Sequence, residues 1–213
     1  MSQVTVPSVS QSWGSIDAWL GVHTPRSLAT LNPPAADLEV QAAQRAIGVE
    51  FPIDLVESLS CHDGLRTWAN ILPEAPPLNA RHIAEHWQAC MDIAEVVDGF
   101  EIHPGNEEPW WHPLWVPWAE EDGDAQVIDL RPGPHCGRLG TAVHDGCGDF
   151  SDSWPSLAAY LHDVAQVLHD GGAVRGWYPY LTEDHELWWD RGDDRRSLNG
   201  DPLWRAPVGR VRS

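Results

Sequence analysis

The hydrophobic pattern of this chain changes its period partway along, and that change restricts the fold more than any other feature. Up to Val97 the apolar residues recur every three or four positions, as on one face of an α-helix. Trp13, Ile16, Trp19 and Leu20 predict a short first helix, with Ser12 as its cap. Leu31-Asn-Pro-Pro-Ala35 leads stiffly into a second helix, capped by Asp37 and ended near Gly48. After Pro52, Asp54 caps a third helix over Leu55 to Ser60, closed by His62-Asp63-Gly64. The most regular stripe is Ile83, Trp87, Cys90, Ala94 and Val97, which predicts a helix capped by Asn79 and stopped by Gly99. Between these helices, Trp68 to Leu72 predicts a short strand ended by Pro73.

From Pro113 the pattern becomes that of strands. Pro113 to Trp118, Gln126 to Leu130 and Gly137 to Val143 are short β-type runs, divided by Glu121-Asp-Gly-Asp124 and Arg131-Pro-Gly-Pro134. They predict an antiparallel meander. Helical spacing returns with Leu157, Tyr160, Leu161, Val164, Val167 and Leu168, behind Ser153 as cap and Pro155 in the first turn, and ends at Gly171-Gly172. Helices packed around one antiparallel sheet give an α+β class. The expected domain covers residues 12–175. Residues 176–213, where Trp188-Trp189 and Trp204 follow no sustained period, form a C-terminal extension that either adds a strand or stays mobile.

Charge narrows the choice of partners. The 213 residues carry a formal net charge of -19, contain no lysine, and have no basic residue between Arg81 and Arg131. Glu85, Asp92, Glu95, Asp98, Glu101, Glu107, Glu108, Glu120, Glu121, Asp122, Asp124 and Asp129 all fall in that interval. Such a field repels nucleic acid and anionic lipid and attracts basic proteins. No apolar run reaches the length of about 20 residues that a spanning helix needs. Met1 to Trp13 lacks a basic stretch and an apolar run. A cytoplasmic location is therefore expected. The scattered Cys61, Cys90, Cys136 and Cys147 form no CxxC pair and signal neither a disulfide framework nor a thiolate zinc site.

Three patterns bear on chemistry. His82-Ile-Ala-Glu85-His86 fits the H-x-x-E-H arrangement of inverted zinc peptidases, but Glu85 projects almost opposite the stripe that the two histidines flank. A solvated helix edge is the better account, since a five-residue pattern recurs by chance. His135, Cys136, His144, Asp145, Cys147 and Asp149 are all possible metal ligands, yet their spacing fits no zinc template and turn chemistry explains it. The acidic Glu120 to Asp124 loop lacks the alternating ligands of a calcium loop. Neither a nucleophile elbow, nor a glycine-rich phosphate loop, nor a basic aromatic platform occurs. No cofactor or metal is expected. Trp110, Trp111, Trp115 and Trp118 crowd into nine residues. Trp115 and Trp118 fall on opposite faces of a strand, one side in the core and the other partly exposed.

The order and wording of these segments resemble the SUKH superfamily, which takes its name from the fungal Smi and Knr cell-wall regulators and is widespread in bacteria. The resemblance spans Trp13 to Gly172. It rests on the opening helix, Leu31-Asn-Pro-Pro-Ala35, Ile47-Gly48, Phe51-Pro52 with Leu55, and His62-Asp63-Gly64. Its strongest stretch is Trp115-Val-Pro-Trp118 followed by Asp122-Gly-Asp124, Val127-Ile-Asp129-Leu130 and Arg131-Pro-Gly-Pro134, with the helix of Leu157, Tyr160 and Leu161 behind. Members often carry phenylalanine or another residue where Trp118 stands, and the tail after Gly176 has no counterpart.

The resemblance implies a non-enzymatic protein-binding domain. Bacterial members are commonly immunity proteins that neutralise toxins, many of them nucleases, and fungal members are regulatory scaffolds in cell-wall synthesis. An acidic inhibitor of a basic toxin suits the charge of this chain. The expected contact residues are Glu107, Glu108, Glu120, Glu121, Asp122 and Asp124, with Trp110 or Trp111 as anchor. A cell-wall scaffold and a zinc hydrolase at His82, Glu85 and His86 are the alternatives.

Overall fold

The computed structural model describes residues 6–209 and divides into two compact units. One unit holds residues 33–64 and 77–157; the other holds residues 6–32, 65–76 and 158–209. The elements in chain order begin with α1 (Val9–His23), α2 (Pro25–Leu28), α3 (Asp37–Ile47), α4 (Ile53–Cys61) and α5 (Ala80–Val96). The meander follows as β1 (Trp115–Glu121), β2 (Asp124–Asp129), β3 (Leu139–Ala142) and β4 (Gly148–Asp149). Then come α6 (Leu157–Asp170), β5 (Trp177–Leu181), β6 (Leu187–Arg191), β7 (Ser197–Leu198), β8 (Asp201–Pro202) and β9 (Trp204–Arg205). Helices with antiparallel sheets make this an α+β fold of the SUKH kind.

In the unit that holds the meander, the sheet order is β1-β2-β3-β4, all antiparallel. Helix α5 forms where the apolar stripe and cap predict: the Asn79 side chain accepts from the His82 amide at 2.8 Å, and Ile83, Trp87, Cys90 and Ala94 are buried, whereas Val97, expected on that stripe, is the C-cap and 52% exposed. It packs on α3 and on β1. The Asp63 carboxylate accepts the Ala80 amide at 2.8 Å, so the close of α4 ties down the first turn of α5. Gly64 is obligatory there. Its φ is 62°, and a Cβ would collide with the backbone of Leu78 and Asn79.

Strand β1 differs from the expectation of one core face and one partly exposed face. Trp115 and Val116 are 0% exposed, Trp118 1% and Ala119 0%, so both faces are covered. The register explains how two indoles three residues apart are both accommodated. Pro117 pairs with Val127 and Ala119 with Gln126, leaving Trp118 as the extra residue of a bulge. The free edge at this point is capped by Leu78, whose amide donates to the Trp118 carbonyl at 2.8 Å. Trp115 stacks on Phe150 at 5.3 Å between centroids and meets Trp111 edge-on at 6.1 Å. Each fully buried ring of this size removes roughly 150–250 Å² from water, worth on the order of 4–6 kcal/mol before entropy is charged against it.

In the other unit, α1 starts earlier than Ser12. Ser8 is the cap: its hydroxyl takes the Gln11 amide at 3.2 Å while Gln11 returns a bond to the Ser8 amide at 3.0 Å, and Ser12 is buried inside the helix. In the meander's unit, Asp37 and Asp54 are likewise first-turn residues, behind Ala36 and Pro52 at the cap positions. In the unit of α1, no strand forms over Trp68 to Leu72. The Asn70 side chain takes the place of a ladder there, accepting the Trp189 amide at 3.0 Å and donating to the Trp189 carbonyl at 3.3 Å. The segment after residue 176 contributes a three-stranded sheet of order β6-β5-β9 and the small β7-β8 pair. Residues 210–213 lie outside the described residues.

Candidate protein-docking site

The site is built on the turn between β1 and β2. Asp122 and Gly123 have φ of 52° and 92°, the left-handed pair of a two-residue hairpin, for which Asp-Gly is the favoured dipeptide. The Glu120 carboxylate accepts the Gly123 amide at 2.6 Å and holds the loop shut. In a meander the β3–β4 turn returns to the same end as the β1–β2 turn. That brings His144 onto Asp124: the Asp124 carboxylate accepts the His144 amide at 2.9 Å and lies 2.7 Å from the ring Nδ1.

The pair is electrostatically coupled. His144 is raised above the ordinary imidazole value, chiefly by its hydrogen bond to Asp124, with the charges of Asp124, Asp145 and Asp122 adding. Burial of Asp124 acts to raise its carboxyl, but the bonds from His144 prevail and hold it below the usual carboxylate range. Trp110 closes the cluster by donating its Nε1–H to the His144 carbonyl at 3.0 Å. One end of the sheet thus gathers Asp122, Asp124 and Asp145 around the His144 imidazole, with Trp110 bonded to the His144 carbonyl; Glu120 is turned to the Gly123 amide and the α5 side, and Glu121 pairs with Asp124 in the ladder.

Not every expected contact residue is there. Glu108 belongs to a half-buried ion-pair network and not to the open surface. Its carboxylate accepts Arg131 Nη1 at 2.6 Å and Nη2 at 2.9 Å, and Arg138 Nη2 at 3.3 Å. Asp129 completes the square with Arg131 Nε and Nη2, both at 2.8 Å, and Arg138 Nε at 3.1 Å. Two arginines against two acids leave nothing over for a partner. Burial would raise Asp129, yet the hydrogen bonds from Arg131 and Arg138 hold it low. Arg131 is raised, first by its bonds to Glu108 and then by those to Asp129.

Trp111 is 1% exposed and packs against His86 and Trp115, so of the two neighbouring indoles Trp110 is the one with surface to offer. Glu107 is exposed on the loop that precedes β1. By sequence Asp145 is a turn residue or a possible metal ligand. The alternation of hairpins along the meander is the sequence signal that places it beside Asp122.

The zinc-peptidase pattern does not converge. His82 and Glu85 lie together on the exposed side of α5, Nε2 to Oε2 3.8 Å, whereas His86 is turned inward onto Trp111 with rings 6.2 Å apart. Burial lowers the His86 imidazole, with Glu120 opposing. Burial, then Glu120, pushes the Cys90 thiol up to about 12, far from nucleophilic. The second set of ligand types is split as well: His135 and Cys136 are exposed on the β2–β3 loop, and Asp149 accepts the Ser151 amide at 2.8 Å. Among the described residues no group of three or more His, Cys, Asp or Glu is placed to hold a metal ion, and no helix is long and apolar enough to cross a membrane.

A model of the SMI1 / KNR4 family (SUKH-1) matches residues 34–163, which takes in α3 to β4 and the first half of α6. A KNR4/SMI1 homolog of Yarrowia lipolytica is 23% identical, across 89% of this chain and 34% of its own length. A KNR4/SMI1 homolog of Eremothecium gossypii is 34% identical over 53 residues, 25% of this chain and 8% of its own. The chain therefore spans only a minor part of each of these longer relatives. With more than half of its residues matched, including the whole meander, this chain belongs to the SMI1 / KNR4 family (SUKH-1).

Proposed function

We propose that this chain is a non-catalytic, cytoplasmic binding domain, an immunity protein that neutralises a basic, nuclease-type toxin through the acidic end of its four-stranded sheet. The observation that carries this reading is the gathering of Asp122, Asp124 and Asp145 around His144 beside Trp110, on the turn that also holds Glu120 and Glu121. A basic active-site face attracted to such an end associates fast, and close charge pairs across an interface contribute about 1.5–7 kcal/mol of coupling each. An indole at the margin supplies the apolar anchor that carboxylates lack.

Co-expression with the product of the neighbouring gene tests the reading. Suppression of its toxicity together with a stoichiometric complex is expected; unchanged toxicity, or no complex, refutes it. A second reading has one observation in its favour. The relatives this chain resembles are named KNR4/SMI1 homologs, the family whose fungal members are regulatory scaffolds in cell-wall synthesis. A gene that persists in genomes without a toxin neighbour would favour the scaffold. Zinc hydrolysis at His82, Glu85 and His86 lacks converging ligands, and a stoichiometric zinc content in protein purified without an affinity tag would reinstate it.

A further inference from the structure

The C-terminal half of α5 and the loop after it carry an apolar strip with no cover. Val96 is 83% exposed, Ile102 58%, Val97 52% and Ile93 47%. At about 100° per residue, Ala89, Ile93 and Val96 fall within roughly 60° of one another, well away from the buried Ile83, Trp87, Cys90 and Ala94. The flank of this strip is acidic: Asp92 and Glu95 lie beside it on the helix, and Asp98 and Glu101 follow in the turn. No arginine or lysine occurs between Arg81 and Arg131 to offset them.

Trp110 joins the strip to the sheet end already described. A Cβ on Gly99, just past α5, would lie 3.1 Å from the Trp110 ring, and the same indole donates to the His144 carbonyl. The end of α5 and the β1–β2 turn therefore flank the same indole, each with acidic residues at its margin. An apolar patch rimmed by polar residues marks an interaction surface, and the charge of the rim selects the occupant. A second copy of the chain would set acid against acid, and an anionic lipid surface would do the same. The strip from Ala89 to Val96 runs about 10 Å, the length along which i, i+3, i+4 and i+7 anchors of a docked helix act.

We infer that Ile93, Val96 and Val97 are the apolar anchor for a basic amphipathic helix of the partner protein. The inference rests on the acidic docking reading above and names the part of the surface that supplies the anchor. The carboxylates at the β1–β2 turn steer and orient that helix, and the α5 strip retains it.

The test uses the full chain and a synthetic helix of about 18 residues, with leucine at i, i+3, i+4 and i+7 and lysine elsewhere, titrated by calorimetry. Val96→Ser combined with Ile93→Ser is expected to weaken binding roughly tenfold or more. Val96→Ser alone, on a side chain mostly in water, is expected to weaken it roughly threefold without loss of fold. Asp122→Asn with Asp145→Asn is expected to lower the affinity a few-fold and flatten its salt dependence between about 50 and 300 mM. A control helix with serine for leucine is expected to bind roughly tenfold more weakly than the leucine helix. If the α5 variants bind the leucine helix as wild type does while the Asp122 and Asp145 pair abolishes binding, the anchor is wrong and the acidic docking reading stands alone. If neither pair changes the affinity, both are wrong. Equal binding of the control helix overturns the anchor as well.

Discussion

Replacing Arg131 with alanine removes the centre of the ion-pair square behind the meander. Four hydrogen bonds of 2.6–2.9 Å to Glu108 and Asp129 are lost, and with them the guanidinium that lies 5.4 Å from the Trp115 ring centroid and 5.5 Å from that of Phe150. Asp129 is 2% exposed, so its charge has little water to fall back on. Deleting one partner of a buried pair typically costs about 3–5 kcal/mol. Arg138 stays within 3.3 Å of both acids, and the Arg131 side chain is 25% exposed, so water reaches part of the gap. These facts put the expected loss near the low end, about 3 kcal/mol. At roughly 2–4 °C per kcal/mol for a chain of this size, the melting temperature falls by roughly 6–12 °C.

Urea denaturation followed by far-ultraviolet circular dichroism measures that loss near pH 7. Arg131→Lys keeps the charge but cannot grip two carboxylates at once, and is expected to recover less than half of it. The pH dependence is a second check. Asp129 is held below its unfolded value of about 3.9, so the stability it contributes is present above that value and disappears as pH falls through the folded one. The gap between wild type and Arg131→Ala should therefore close below about pH 4. A gap under about 1 kcal/mol near pH 7, or one that stays constant down to about pH 3, refutes the assignment of Arg131 as the counter-ion that stabilises Asp129.

Three further outcomes follow from single sites. His144 should titrate above about 6.5 by nuclear magnetic resonance, and Asp124→Asn should bring it back toward that value. Because protonated His144 offsets the surrounding carboxylates, affinity for a basic partner should rise as pH climbs through its midpoint; affinity that falls over that range contradicts the proposed polarity. Gly148→Ala places a methyl group into the Trp115 ring and should cost about 1–3 kcal/mol in thermal melts, since neither the backbone nor the packed indole can give way cheaply. Tyr160→Phe removes a hydroxyl that donates to the Pro73 carbonyl at 2.9 Å in a residue 0% exposed, and should cost about 1–3 kcal/mol by the same assay.

The amino-acid sequence by itself determined the local order of this protein. Three- and four-residue spacing placed α1, α5 and α6, Asn79 marked the start of α5, and Asp122-Gly123 marked the hairpin turn, because caps and turns are decided by atoms a few residues apart. The quoted segments from Leu31 to Leu161 also carried the family. What escaped was everything that depends on which residues meet across long separations. Sequence proximity made Glu107, Glu108, Trp110 and Trp111 look like one patch. Only the tertiary structure spends Glu108 on Arg131, 23 residues away, and buries Trp111 while leaving Trp110 at the surface. The bulge at Trp118 covers both faces of β1, and Asn70 replaces an expected strand by bonding to Trp189, 119 residues further on. A charge or an indole has the same identity wherever it stands, but its availability depends on the dielectric and the neighbours that packing gives it.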